Sequence, residues 1–261
     1  MGTCGYSYNE WIGPVYPEGI KKDQFLTMYA SRFKTVEIDY TYYAMPKAQN
    51  ISKMAEDGPG LTFAIKAHQS FTHKIDNAKW KDEAKIYIQA IEPLLENGRL
   101  EAVLFQFPYS FHYEDENRRY LGKILDEFSG IQAAVEFRNA EWLNNRVIDG
   151  LKGRGAALVG LDMPELQGLP PTTDVVTAPL AYFRLHGRNK DTWWGSDSTA
   201  RYDYLYNNSE LEAAAERIKQ IIVKADRVVI YFNNHARGQA VKNAETLRQI
   251  LNNKYQITNG R

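Results

Sequence analysis

The amino-acid sequence predicts an α/β protein that folds as a single (β/α)8 barrel of the TIM type, with parallel strands. Short apolar runs alternate with longer amphipathic stretches from one end of the chain to the other, which is the pattern of successive strand and helix units. The length of 261 residues is typical of such a barrel. We therefore expect residues 1–261 to form one domain. An open, doubly wound parallel sheet is the alternative architecture.

The strand candidates are short runs rich in β-branched and aromatic residues. Seven of them are clear, and the one at residues 2–5 is weaker because it is very short. The predicted strands are residues 2–5, 35–39, 62–67, 102–107, 133–138, 157–162, 181–186 and 227–233.

Amphipathic stretches between the strands predict helices. The last but one begins with Ser209 and Glu212, a spacing in which the hydroxyl caps a free amide and the carboxylate reaches back. Residues 163–179, after the sixth strand, contain Pro170-Pro171 and no helical pattern, so we predict an irregular segment there. The loop at residues 187–208 has the length and polarity of a functional loop. The predicted helices are residues 22–33, 47–56, 82–96, 114–128, 141–152, 209–224 and 240–251.

The overall charge and the cysteine content argue against several classes of partner. The chain has 32 basic and 32 acidic residues, so no excess of positive charge favours nucleic acid or an anionic membrane. Cys4 is the single cysteine, which excludes an internal disulfide and fits a reducing compartment. No segment has the pattern of a secretion signal or of a membrane-spanning helix. We therefore expect a cytoplasmic protein.

Polar side chains recur at the carboxyl ends of the predicted strands. In the strand at residues 181–186, alternation places Phe183 and Leu185 on one face and Arg184 and His186 on the other. Because barrels of this type place their catalytic groups at these strand ends, we expect one shared site. A lattice of ion pairs that merely fills the barrel is the alternative. The side chains expected at this site are Glu37, Lys66, Gln106, Glu136, Arg138, Asp162, Arg184, His186 and Asn233.

Several motifs together resemble the YecE-like family, also known as domain of unknown function 72. The resemblance covers nearly the whole chain and implies a TIM-type barrel, but it implies no reaction. Cys4 and Tyr6 stand where the family usually has Ser and Trp, and Asn139 stands where His is common. The motifs that carry the resemblance are Gly2-Thr3-Cys4-Gly5-Tyr6-Ser7-Tyr8 with Trp11, Val36-Glu37-Ile38, Phe63-Ala64-Ile65-Lys66, Phe105-Gln106-Phe107-Pro108, Val135-Glu136-Phe137-Arg138, Arg184-Leu185-His186-Gly187-Arg188 and Phe232-Asn233-Asn234-His235.

The chemistry of these side chains suggests a division of roles. Glu136 is a candidate general base, and His186 is a candidate acid or base near neutrality. Glu37 and Lys66 would orient the reacting groups, with Lys66 either paired to a glutamate or active as a Schiff-base amine. Guanidinium groups hold anions and do not act as bases. The predicted ligand-binding residues are Arg138, Arg184, Arg188, Gln106, Asn233, Asn234, His235, Trp11 and Tyr8.

The sequence therefore predicts an enzyme that acts on a small polar anionic metabolite by hydrolysis or by acid/base proton transfer. The expected ligand is phosphorylated or carboxylated and sugar-like, for example a phosphate ester. Two carboxylates also permit glycoside hydrolysis, with Trp193 and Trp194 as sugar platforms.

Three alternatives remain open. The barrel is a non-catalytic metabolite sensor, it docks a nucleic acid, or it is a metal-dependent hydrolase or isomerase. A divalent metal would have Glu37, Glu136, Asp162, His186 and His235 as acceptable ligands. None of these residues belongs to a short metal-binding motif, and the interleaved cations would repel a metal ion. We therefore predict no metal site and no cofactor.

Overall fold

A computed structural model describes residues 1–195 and 198–256 of the chain. Residues 196–197, within the predicted loop at 187–208, and residues 257–261, within the predicted domain, lie outside the described part. The strands follow the predicted order with small changes at their ends. They are β1 (Gly2–Thr3), β2 (Thr35–Ile38), β3 (Thr62–Lys66), β4 (Leu100–Phe107), β5 (Ala133–Phe137), β6 (Ala157–Leu158), β7 (Gly160–Asp162), β8 (Leu180–Leu185) and β9 (Arg227–Phe232).

The strands pair in parallel in two sheets. One sheet has the order β2-β3-β4-β5-β6, and the other has the order β1-β9-β8-β7. The predicted strand at residues 157–162 is divided at Val159, so β6 pairs with β5 while β7 pairs with β8. At the other edge, the segments of β1 and β2 meet at one isolated parallel β-bridge, a backbone pairing between Cys4 and Glu37. The predicted α/β fold with parallel strands is confirmed, but the strand ladders form two sheets rather than one closed barrel.

Helices connect most of the strands. They are α1 (Phe25–Ala30), α2 (Tyr40–Tyr43), α3 (Ala48–Asp57), α4 (Trp80–Glu96), α5 (Asp115–Glu127), α6 (Asn145–Lys152), α7 (Ser198–Arg201), α8 (Asn208–Ile222) and α9 (Gln239–Tyr255). Residues 163–179 contain no helix, as predicted. Across residues 1–195 and 198–256, no helix has the length and apolarity needed to cross a membrane.

The predicted cap of α8 at Ser209 is wrong. Asn207 caps the helix instead, because its side-chain oxygen accepts a hydrogen bond from the Glu210 amide at 3.0 Å. The Glu210 carboxylate accepts a hydrogen bond from the Asn207 amide at 2.9 Å in return. The Asn-x-x-Glu spacing satisfies the same reciprocal pattern as Ser-x-x-Glu, and it starts the helix at Asn208.

The two faces of most strands differ in the way the alternation predicts. Phe183 and Leu185 of β8 pack in the large apolar core that includes residues of the surrounding helices. Tyr182 belongs to a second cluster, made largely of small and aliphatic residues on the opposite strand faces. Residues such as Ala64 and Ala102 in this second cluster leave space for the long polar side chains that follow on the same faces.

Asp162 is the exception, and its predicted position is wrong. In this strand Val159 and Leu161 lie in the second, interior cluster, so Asp162 points to the opposite face, toward the helices. Alternation separates the two faces of a strand but does not tell which one is interior. In β8 the alternating apolar residues Phe183 and Leu185 face the helices, whereas Val159 and Leu161 face the interior.

Candidate functional site

A cavity of about 530 Å³ opens where the carboxyl ends of the strands meet. Its wall is formed by the last residues of several strands and by the segments that follow them. Seven residues of the predicted site line it, and they come from six different segments of the chain. These residues are Lys66, Gln106, Arg138, Arg184, Asn233, His235 and Tyr8.

A buried ionic network lies beside the cavity. Arg184 donates to Glu37 Oε1 at 2.6 Å and to Glu136 Oε2 at 2.7 Å. Arg138 Nε lies 2.5 Å from the other oxygen of Glu136. The hydroxyl of Tyr182 donates to Glu37 Oε2 at 2.5 Å. Three of the four glutamate oxygens therefore accept a hydrogen bond, and the fourth, Oε1 of Glu136, is in ion-pair contact with Arg138.

The ion pairs of this network do not suit Glu136 to the predicted role of a general base. Burial alone would raise the pKa of Glu136, but the guanidinium groups of Arg138 and Arg184 lower it well below its usual range. Glu136 is fully buried and does not line the cavity, and the same is true of Glu37. The structure assigns both glutamates to holding the arginines in place rather than to contacting a ligand.

His186 is fully buried among three polar neighbours. Nδ2 of Asn233 lies 2.9 Å from its Nδ1, while Nη2 of Arg138 and Oε1 of Glu136 lie 3.3 and 3.5 Å from its Nε2. Burial and the adjacent Arg138 lower the pKa of His186 to about 3. The imidazole is therefore neutral at physiological pH, and it does not reach the cavity.

Asp39 is the titratable carboxyl that lines the cavity, and it is absent from the predicted site. It occupies the N-cap position of α2 but makes no capping hydrogen bond. Its buried Oδ1 has no hydrogen-bond partner in residues 1–195 and 198–256. Burial and the neighbouring charge of Glu37 raise the pKa of Asp39 to about 6, against the opposing effect of Lys66. The alternation of strand 35–39 places Asp39 on the same face as Glu37, so the sequence did carry a signal.

Lys66 and His73 lie on the same wall as Asp39. The Lys66 ammonium sits 4.3 Å from the ring centroid of Tyr42 and makes no ion pair within the part of the chain that is described. The predicted pairing of Lys66 with a glutamate is therefore wrong, because arginines occupy both glutamates. His73 Nδ1 lies 2.8 Å from the hydroxyl of Thr72. Burial, Lys66 and Arg138 lower the pKa of His73 to about 4.

Aromatic residues form the opposite wall of the cavity. Tyr8 stacks on His235 with ring centroids 4.6 Å apart, and its hydroxyl donates to the Cys4 carbonyl at 2.7 Å. Trp11 supports this wall from behind, since its indole N–H donates to the His235 carbonyl at 2.8 Å. Trp11 is fully buried and does not line the cavity. Of the three predicted ligand contacts here, Tyr8 and His235 face the cavity and Trp11 does not.

Two other predicted binding residues lie outside the cavity. Arg188 makes a two-point ion pair with Asp162, at 2.8 and 2.6 Å, on the helix-facing side of β7. Asn234 donates to the carbonyl of Tyr204 and to the side chain of Asn243, both at 2.8 Å. Asn234 falls on an outward position of its strand. Arg188 follows Gly187, whose positive φ of 88° ends the alternation of the strand and turns the chain away from the interior. The structure therefore gives both residues contacts within the fold.

Neither the predicted sugar platforms nor the predicted metal ligands form a binding site in the described residues. Trp193 is buried against Arg138, with the guanidinium 5.5 Å from the ring centroid, whereas Trp194 is half exposed. Among the residues described, no group of three or more His, Cys, Asp or Glu side chains is arranged to hold a metal ion.

Comparison with known proteins identifies relatives over the full length of the chain. The family model described as "Protein of unknown function DUF72" matches residues 1–260. The UPF0759 protein YunF of Bacillus subtilis is 29% identical over 271 aligned positions, which cover 98% of this chain and 95% of that protein. The crystal structure of a DUF72 family protein from Thermotoga maritima has a TM-score of 0.89 and 36% identity, covering 96% of this chain and 97% of that one. A DUF72 family protein from Enterococcus faecalis has a TM-score of 0.86 and 28% identity, covering 100% and 98% of the two chains.

Proposed function

The chain belongs to the DUF72 family, and we propose that its cavity is the active site of an enzyme for a small polar anionic metabolite. The ligand class is a phosphorylated or carboxylated, sugar-like compound, and the reaction is hydrolysis or acid/base proton transfer. The fold is proposed to be a single TIM-type domain. The Cys4–Glu37 bridge and the one-residue interval between β6 and β7 support closure of its strands.

One observation carries this proposal: Asp39 lines the cavity, and its buried Oδ1 has no hydrogen-bond partner among the described residues. An unpaired buried carboxyl oxygen costs free energy, so such groups are rare unless they have a task. A carboxyl whose pKa is raised to about 6 exchanges protons efficiently near neutral pH. Asp39 therefore takes the acid/base role that the sequence suggested for Glu136 and His186.

The cationic side chains of the cavity supply the anion-binding half of the site. Arg138 and Arg184 are held by the buried glutamates and still line the wall. Lys66 makes no ion pair, and Nε of Arg201 has no hydrogen-bond partner in the described segments. With Asp39, Glu37 and Glu136 ionised, the four cations leave one positive charge in excess. A phosphate or carboxylate group would balance that charge.

The tyrosines that line the cavity favour a polyhydroxylated ligand. Tyrosine combines a flat apolar ring with a hydroxyl group that donates and accepts hydrogen bonds. Such walls suit a sugar-like molecule, whose rings or chains have both apolar C–H edges and hydroxyl groups. The volume of about 530 Å³ lies in the range of small-molecule sites. The tyrosines that line the cavity are Tyr6, Tyr8, Tyr40, Tyr42, Tyr43 and Tyr202.

Thermal-shift measurements with phosphate, sulfate and a panel of sugar phosphates and sugar acids test the binding part of this proposal. We expect at least one of these anions to raise the Tm of the wild-type protein. K66M should lose that shift, whereas K74M, which removes an exposed lysine outside the cavity, should keep it. The absence of any shift in the wild-type protein, or an equal shift in K66M, would contradict the proposed ligand class.

Turnover of the same compounds, and of phosphoesters and glycosides, tests the catalytic part. D39N keeps the size of the side chain but removes its ability to take or give a proton. We expect D39N to lose at least about 100-fold in rate, the scale of one acid/base group. Stabilisation by a ligand without any turnover would favour a metabolite sensor. Salt-sensitive binding of an oligonucleotide in place of the small anions would favour a nucleic-acid-binding protein.

A further inference from the structure

We infer that the cavity removes a proton from a carbon atom next to a carbonyl group, with Asp39 as the base and His73 and Lys66 as the groups that hold the carbonyl oxygen. The substrate class is an α-hydroxy aldehyde or ketone that carries a phosphate or carboxylate group. This inference rests on the proposed function and narrows it to proton transfer at carbon rather than hydrolysis.

The position of Asp39 suits abstraction of a carbon-bound proton. Asp39 lines the cavity, and its buried Oδ1 accepts no hydrogen bond in the described residues, so the carboxyl is only partly solvated. A carbon acid offers a C–H bond, a poor hydrogen-bond donor, and an unsolvated carboxylate oxygen is the partner that removes such a proton most readily. The carboxyl is ionised at neutral pH but remains basic, because burial and the charge of Glu37 raise its pKa to about 6.

His73 is fixed as a neutral hydrogen-bonding group on the cavity wall. One ring nitrogen, Nδ1, is 2.8 Å from the Thr72 hydroxyl, and the edge of the ring packs against Tyr42 at a centroid distance of 4.9 Å. The other nitrogen, Nε2, makes no hydrogen bond to any residue described. Donation by the Thr72 hydroxyl to Nδ1 leaves the ring hydrogen on Nε2, where it can meet a carbonyl oxygen. A neutral imidazole is a known partner for an enolate oxygen, because it stabilises the negative charge without quenching it.

Lys66 supplies the charge that the enolate oxygen needs. Its ammonium group lies over Tyr42 at 4.3 Å, in the same wall as His73. Lys66 lies close enough to lower the pKa of both Asp39 and His73, so all three groups share one electrostatic environment. A fixed cation at the position where negative charge develops lowers the energy of the transition state.

The reaction balances without an oxidant, a reductant or a further reactant. The Asp39 carboxylate takes the proton from the carbon that carries the hydroxyl group, and the C–H bond breaks. Its electron pair forms a carbon–carbon double bond, and the carbonyl oxygen becomes an enediolate oxygen beside His73 and Lys66. Asp39 then returns its proton to the neighbouring carbon. His73 passes a proton between the two oxygens, which completes an aldose–ketose isomerisation.

The carboxylates of the site favour this reaction over glycoside hydrolysis. Hydrolysis of a glycoside usually employs two free carboxyl groups, one as acid and one as base or nucleophile. Here Glu37 and Glu136 are engaged by arginines and do not line the cavity, so Asp39 is the one carboxyl on its described wall.

Exchange of carbon-bound hydrogen with D2O, followed by proton NMR, tests the inference. The probes are glyceraldehyde 3-phosphate, ribose 5-phosphate, glucose 6-phosphate and the corresponding ketose phosphates. We expect the wild-type protein to exchange the C–H proton next to the carbonyl group of at least one probe. D39N should lose at least about 100-fold in exchange rate, and H73Q about 10-fold to 1,000-fold.

H68Q is the matched control for H73Q. His68 lies at the other end of the same short turn, is held by Ser70, and does not line the cavity, so its loss should leave exchange unchanged. Binding of a probe without exchange, or equal exchange by D39N and the wild-type protein, would overturn this inference and leave the binding part of the proposed function intact. A panel that is neither bound nor exchanged would overturn both. Cooperative unfolding of each variant establishes that it is folded.

Discussion

Arg184 and Glu37 form an ion pair across the interior of the protein, with Nη2 of the arginine 2.6 Å from Oε1 of the glutamate and at most 2% of either side chain exposed. Arg184 also contacts Glu136 at 2.7 Å. Arg184 belongs to β8 in one sheet, whereas Glu37 and Glu136 belong to β2 and β5 in the other. One guanidinium group therefore joins the two sheets, and together with Arg138 it balances the charges of two buried carboxylates.

We expect R184M to destabilise the protein by about 3–5 kcal/mol, because it leaves the buried Glu37 without a cation and Glu136 with Arg138 alone. Denaturation by urea measures this loss. The matched control is R154M, which breaks the exposed pair between Arg154 and Asp126 and should cost less than about 1 kcal/mol. Equal losses in the two variants would show that the buried pair does not stabilise the fold.

Tyr182 and Tyr231 allow a second comparison within the same interior. The Tyr182 hydroxyl donates to the charged Glu37, whereas the Tyr231 hydroxyl shares a hydrogen bond of 2.6 Å with the neutral Thr35. Hydrogen bonds to charged groups contribute more, so Y182F should cost about 1.5–3 kcal/mol and Y231F about 1 kcal/mol. Unfolding experiments on the two variants give the ranking, and a larger loss in Y231F would contradict it.

The alternation of apolar and polar residues predicted the general position of the site. Phe183 and Leu185 pack among residues of the helices, and Arg184 lies on the opposite face of the strand, as expected. The pattern failed for Asp162 because its strand presents apolar residues inward. A strand sequence defines two faces, and only the packing of the neighbouring strands decides which face is interior.

The sequence also could not distinguish a carboxyl group that forms ion pairs within the fold from one that is available to a ligand. Glu136 and Asp39 both lie at a strand end next to cations, yet Glu136 forms ion pairs with two arginines, whereas Oδ1 of Asp39 has no hydrogen-bond partner in the residues described. Which cation meets which carboxylate depends on side chains from strands far apart in the chain. Such pairings follow from the register between strands and not from spacing along any one of them.

His186 and His73 should both be neutral at pH 5. Burial and nearby cations lower the pKa of His186 to about 3 and that of His73 to about 4. Nitrogen chemical shifts of the imidazole rings, assigned with the H73Q variant, report their charge directly. Because both pKa values lie below the ordinary value of 6.5, the stability that these groups contribute is present above pH 6.5 and is lost as the pH falls. Imidazolium shifts for either ring at pH 5 would contradict the assigned environment.

Asp39 should affect stability in the opposite direction. Its pKa rises from 3.8 to about 6 in the folded protein, so the folded state disfavours the ionised carboxylate. The contribution of Asp39 to the free energy of unfolding is therefore complete below pH 3.8 and decreases as the pH rises through 6. D39N cannot ionise and avoids this loss. We expect its stability relative to the wild-type protein to rise by roughly 2 kcal/mol between pH 4 and pH 7.

Urea denaturation of D39N and the wild-type protein across this pH range measures the difference, which cancels the titration of all other groups. D76N is the matched control, because Asp76 is an exposed carboxyl whose pKa is lowered by a hydrogen bond from the Ala78 amide and by Lys79. Its relative stability should show no rise between pH 4 and pH 7. A flat difference for D39N would mean that the Asp39 carboxyl is solvated or paired, and it would remove the basis for its role as a base in the cavity.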